Sequence, residues 1–124
     1  MTATAPGLDE LAQLLDGIEA EMLRIGFWQQ QPPDLLADYD AGRRRTYLDA
    51  PSFELWLQAV FLPRARAAVA TGDLPTHSSV GTMALRQWDY YEHVAEAQPL
   101  LRLLHQFDEA VERRGGRSEE DRDG

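Results

Sequence analysis

Chemistry in this chain could reside in its histidines, carboxylates and arginines. The three histidines are His77, His93 and His105, and "YYEHVAE" sets Glu92, His93 and Glu96 close together. Glu92 and Glu96 are four residues apart and share a helical face. A di-metal centre in a helical bundle needs Glu-x-x-His on paired helices, and that spacing occurs nowhere here. These groups read as solvated surface charges, and no metal is expected. Ser78 and Ser79 beside His77 are the residue types of nucleophilic catalysis, but adjacency in sequence supplies no triad geometry. There is no cysteine, hence no thiol nucleophile, disulfide or thiolate metal site. Nor do "GDLP" and "ERRGGR" have the strand–loop–helix setting of a phosphate loop. No catalytic residue and no cofactor is expected.

Two arginine features stand out. "GRRR" places Arg43 to Arg45 together, either as a local anion or RNA contact or as neutralisation of Asp34, Asp38 and Asp40 nearby. The second lies at the end of "FELWLQAVFLPR", the most apolar run of the chain. At about 100° per residue from Phe53, Arg64 falls in the middle of the stronger apolar stripe. A guanidinium there must be paired or hydrogen-bonded. The expectation is an internal pair, with Asp108 as first choice of partner and Asp49 as the alternative. Contact with a ligand or protein partner is the competing reading.

Helices must position these residues, because nothing alternates with period two over a useful length. Leu8, Leu11, Leu14, Leu15, Ile18, Met22 and Ile25 form one face of a helix over about 8–26. A long connection follows, with Pro32, Pro33 and Gly42, and one helical turn is expected near Asp34 to Tyr39. Asp49 is expected to cap a second helix that tolerates Pro51 in its first turn and runs to about Ala70. That helix is apolar on two sides, so it should be touched from two directions. Pro63 inside it predicts a kink, since proline cannot donate to the carbonyl of Ala59 and crowds it. Val80, Met83, Ala84, Trp88 and Tyr91 predict a third helix over 79–95. Leu100, Leu101, Leu104, Phe107 and Val111 predict a fourth from about Pro99 to Arg114. Short links then imply an all-α, mainly antiparallel four-helix bundle.

Composition bounds the rest. The 124 residues suit one domain over 8–114, with a loose leader at 1–7 and a disordered acidic tail at 115–124. The opening residues have neither a basic n-region nor an apolar h-region. The longest apolar run is far shorter than the roughly 20 residues that cross a bilayer. A cytoplasmic, membrane-free protein is expected. Net charge is −9, and the tail holds two arginines against four acids, so the acidity belongs to the domain. Such a body disfavours contact with phosphate backbones.

The segment "YLDAPSFELWLQAVFLPRA" resembles the YqcC-like family of small helical bacterial proteins. The matching positions are Tyr47, Asp49, Trp56, Leu57, Gln58, Pro63 and Arg64, in register without a gap. The likeness extends to Trp28 ahead of the prolines, to Leu74 and Pro75, to Met83 and Ala84, and to "QFD" at 106–108. It covers about residues 8–112. The chain departs from the family where Gly81 and Thr82 stand in place of Ala-Pro, where Leu85 and Arg86 replace an acidic pair, and at Ala50 in place of Thr. The resemblance implies an all-α bundle of unknown biochemical role, linked to tRNA pseudouridine synthase C, and brings no catalytic residues with it.

Together these features point to a non-enzymatic interaction module with a protein partner, accessory to a tRNA pseudouridine synthase. Its contact residues are expected among Trp28, Tyr47, Asp49, Trp56, Gln58, Pro63, Arg64 and Asp108. The alternative is a small-molecule-binding or enzymatic bundle with a pocket near Trp28, Tyr47, Trp56 and Arg64. A pocket with converging polar groups would favour the alternative, an open apolar patch the first.

Overall fold

The computed structural model describes residues 7–90 and 95–123, with side chains as far as Arg114. Helices account for the regular structure among these residues, and no strand is present. Helix α1 is Leu8–Arg24, and the periodic face foreseen for it is the face it buries, through Leu8, Leu11, Leu15, Ile18 and Met22. It stops where glycine permits a left-handed turn. Gly26 has φ +80°, its N–H donates to Leu23 O at 3.4 Å, and the Phe27 N–H donates to Met22 O at 2.8 Å. That pair of bonds is a Schellman cap, which satisfies carbonyls the helix would otherwise leave bare.

The long connection is laid down by short elements. Helix α2, Leu35–Asp40, is the short helical stretch expected there and begins where the Asp34 side chain accepts from Ala37 N. Thr46 and Asp49 form a capping box around the 3-10 turn Tyr47–Asp49. Asp49 therefore does not cap the second long helix, as the sequence suggested. Its carboxylate is used by the Arg45 and Thr46 amides at 2.7 and 3.1 Å. Ser52 is the cap instead, extended at φ −152° and accepting from Leu55 N at 3.1 Å.

From Ser52 the chain enters a continuous helix over 53–71. It consists of α3, Phe53–Trp56, a π-helical turn, Leu57–Phe61, and α4, Leu62–Thr71. Both sides are covered, as its two apolar faces required. Phe53, Leu57, Leu62 and Ala65 join the main core. Leu55 and Val60 meet Leu35 and Tyr39 of α2 in a second, smaller cluster.

Helix α5 is Val80–Tyr90 and α6 is Gln98–Asp123. Residues 91–94 lie outside the described set, so α5 is traced only to Tyr90 of the 79–95 expected. Pro99 stands in the first turn of α6, where a missing N–H costs nothing. The backbone of α6 continues beyond Arg114 over 115–123, a stretch whose composition suggested a tail without structure.

Cross-links fix which ends meet. Arg113 donates to Glu10 at 3.0 Å and Leu103 packs at Gly17, tying α6 to α1. Arg66 donates to Asp16 and Glu19 at 2.7 and 3.1 Å, tying α4 to α1. Trp88, fully buried, donates its indole N–H to Glu54 at 2.5 Å, tying α5 to α3.

Candidate interaction groove

The π turn decides where the arginine of the apolar run points. The Leu62 N–H donates to Leu57 O, five residues back. One extra residue is thereby absorbed in a single wide turn. The core stripe steps from Phe53 to Leu57, then five residues to Leu62, then to Ala65 and Val69. Reckoning at 100° per residue fails from that turn onward, by roughly one residue's rotation. The wide turn stands immediately before Pro63, where the helix must make room for the ring. Arg64 is consequently displaced from the stripe to the surface. Its side chain is 48% exposed.

The expected Arg64–Asp108 pair does not exist, nor does a pair with Asp49. Arg64 Nη2 donates to Asp40 Oδ1 at 3.0 Å, and the guanidinium lies 5.8 Å from the centre of the Tyr39 ring. Tyr39 is itself anchored, donating its hydroxyl to Thr46 O at 2.6 Å. Burial pushes its phenol above the usual range, with the nearby Asp49 charge adding to that.

Asp108 performs a different task. It is buried and accepts from Ser78 Oγ at 2.5 Å, Val80 N at 3.0 Å and Gly81 N at 2.7 Å. A carboxylate on α6 thus caps the start of α5, satisfying amides that a helix leaves without partners and matching the positive end of its dipole. Gln58 is equally structural. It is buried, accepts from Gln29 N at 3.0 Å and donates to Gln29 O at 2.7 Å, pinning the connection after α1 to the π turn.

The aromatic residues form a ladder of ring contacts. Phe27 meets Trp88, Trp88 meets Phe53, Phe53 and Tyr47 meet Trp56, Trp56 meets Phe61, and Phe61 meets Phe107, all with centroids 5.4 to 6.1 Å apart. Trp28 packs against the main core. Trp56 and Phe61, only partly buried, turn one side of the ladder outward. There they form, with Ala65, Ala68, Leu74, Pro75, Phe107 and Val111, an apolar groove of about 290 Å³. Arg64 and Ser78 are its polar members, and the Ser78 hydroxyl is committed to Asp108.

Of the four residues proposed to line one pocket, the structure brings Trp56 and Arg64 together here. Tyr47 lines a separate concavity of about 320 Å³ with Pro51, Ser52 and Gln87. The arginine run behaves as neutralisation of acid. Arg43 and Arg44 both bind Asp38, and the Arg44 guanidinium also reaches Asp49 O. Those two guanidiniums hold the Asp38 carboxyl below the ordinary range. The amides of Arg45 and Thr46 do the same for Asp49.

His77 pairs with Glu112 at 2.9 Å on the surface, and His105 packs against Gly81. Ser79 shares its carbonyl with Met83 N. Glu92 and His93 lie outside the described residues. Among the described residues no group of three His, Asp or Glu side chains is arranged to hold a metal ion. Nor is any helix there long and apolar enough to cross a membrane.

Sequence reasoning missed the Glu54–Trp88 bond, the Arg66 bridge and the Thr46–Asp49 box. "TYLD" did carry a signal for the last, a hydroxyl followed three residues later by an acid.

Among the described residues the chain is a small all-helical protein that carries an open apolar groove. More specifically, residues 10–110 match the model of the DUF446 family, which is described as tRNA pseudouridine synthase C. The chain belongs to that family, as the YqcC-like motif implied. No curated protein and no solved structure matches it.

Proposed function

We propose that the chain is a non-enzymatic cytoplasmic interaction module whose groove receives a protein, and that this protein is the tRNA pseudouridine synthase of the family's description. In this reading α1, the 53–71 helix, α5 and α6 form a four-helix bundle of antiparallel neighbours, bent at Pro63. The Glu10–Arg113, Asp16–Arg66 and Asp108–Gly81 links support that arrangement.

The observation that carries the functional reading is the composition of the groove. Trp56, Arg64, Leu74, Pro75 and Phe107 all carry the family resemblance, and they come together from three separate parts of the chain. Their apolar lining, with a single cation at the rim, suits a side-chain anchor better than a substrate that must be polarised. At about 290 Å³ the space falls at the lower edge of the roughly 300–1,000 Å³ typical of small-molecule sites. A chain of net charge −9 is repelled by tRNA but attracted to the basic surface of an enzyme that binds tRNA.

Isothermal titration of the purified chain into the purified synthase tests this. A complex with Kd of about 10 μM or tighter is expected, weakened at least tenfold by Ala68→Trp, which fills the groove. Absence of heat with both proteins at about 50 μM would remove the synthase as the partner.

A further inference from the structure

Arg64 has an arrangement that a merely solvated arginine does not need. Its guanidinium is held at the rim of the groove by two members of α2, the Tyr39 ring at 5.8 Å and the Asp40 carboxylate at 3.0 Å. Tyr39 is buried and fixed by its bond to Thr46 O, so the cation rests on a rigid platform. Asp40 is not fixed in the same way. Its side chain is 63% exposed, at the last residue of α2. An exposed ion pair is weak and readily exchanged for another carboxylate. The remaining walls of the groove are apolar, apart from a hydroxyl already engaged by Asp108. An occupant therefore meets a hydrophobic slot with one preorganised positive charge at its edge.

We propose that Arg64 is the specificity-determining residue of this groove, selecting a peptide segment with apolar anchors beside a carboxylate, and that Asp40 takes the place of that carboxylate in the unbound protein. The proposal rests on the reading of the groove as a protein-binding site and names the chemistry of what binds. Apolar anchors of a helical segment recur at three- and four-residue spacing. One acidic side chain next to them reaches the rim and displaces Asp40 from Arg64. Planar, bidentate recognition of a carboxylate is what a guanidinium on an aromatic platform does best. A basic or neutral residue at that position leaves Arg64 with Asp40 and gains nothing.

Selection of a displayed random dodecapeptide library on the full chain tests the idea without assuming any partner. Enriched peptides are expected to combine large apolar residues at three- or four-residue spacing with an Asp or Glu adjacent to them. Selection on Arg64→Glu should replace that acid with Lys or Arg while keeping the apolar anchors. For a synthetic peptide enriched on the natural chain, Asp40→Ala should tighten binding roughly two- to fivefold, the amount that an exposed ion pair is able to withhold. Enriched peptides without an acid, or the same peptides on Arg64→Glu, overturn the role of Arg64 but leave the groove as a binding site. An unchanged or weaker Kd with Asp40→Ala overturns the stand-in role of Asp40. Peptides whose binding ignores Ala68→Trp, or a selection that enriches nothing, overturn the groove reading itself. Arg64, Asp40 and Ala68 each keep some exposure to solvent. Circular dichroism of the three variants confirms that what is measured is binding rather than folding.

Discussion

Arg64 and Asp108, expected to pair with each other, serve apart, Arg64 with Asp40 at the surface and Asp108 beneath the start of α5, and their energetics should follow. Asp108 satisfies two backbone amides at the start of α5 and one hydroxyl from a buried position. Asp108→Ala leaves those donors stranded and should cost on the order of 3 kcal/mol, read as a lower urea midpoint at unchanged slope. Arg64→Ala removes one exposed pair and should stay within about 1 kcal/mol of the natural chain. Equal midpoints for the two variants would refute this assignment. Gly81 offers a sharper test. A Cβ there would stand 2.5 Å from the His105 imidazole and 2.8 Å from its ring carbon Cγ, too close for a side chain fixed near its root. Gly81→Ala should therefore destabilise by about 1 kcal/mol or more. In a His105→Ala background the same change should become neutral or stabilising, because alanine is then simply the better helix former. A cost that is the same in both backgrounds would show that the ring is not the cause.

At the scale of elements, the connection 27–52 is held by charge and by short caps rather than by length of helix. Asp38 and Asp49 are both depressed, Asp38 by hydrogen bonds from Arg43 and Arg44 and Asp49 by backbone amides. A carboxyl whose folded value is depressed contributes stability that is fully present above the unfolded value near 3.9 and is lost as pH falls through the folded one. The 34–49 segment should thus loosen only on the acid side of that range, and be indifferent to pH between about 5 and 8. Carboxyl-carbon titration by nuclear magnetic resonance should place both midpoints below about 3.9. Midpoints at or above that value would mean that the caps do not persist in solution. The central helix teaches a related point. A proline need not end a helix when a wide turn precedes it, and that turn re-aims every later side chain.

For the whole molecule, the proposed reading takes protein rather than nucleic acid as the partner, in line with the net charge of −9 and the apolar groove. Among the described residues Arg43 and Arg44 both pair with Asp38, which lowers the positive potential that the arginine run offers to a phosphate backbone. Gel shifts of the isolated chain with tRNA should show at best weak, salt-sensitive binding. A dissociation constant below about 1 μM at physiological salt would contradict that, since non-specific binding is far weaker.

Helix content, the buried face of α1, the two-sided burial of the central helix and the family were all legible in the residues themselves. Each depends on local spacing, which a chain carries along its own length: Leu8 to Met22 keep their three- and four-residue steps whatever packs on them. The candidate site was only half legible. Trp56, Arg64, Leu74, Pro75 and Phe107 could be marked one by one, but that they share a groove depends on how the central helix, the 72–79 link and α6 pack. The partner of Arg64 was out of reach for a physical reason. A single π turn, forced by the competing demands of Pro63 and the core stripe, shifts the register by one residue. No count at 3.6 residues per turn contains that shift. Leu57 and Leu62, five residues apart across that turn, are both buried, and a register set by what the core takes in on either side is a matter of tertiary packing, which is why Arg64 faces outward.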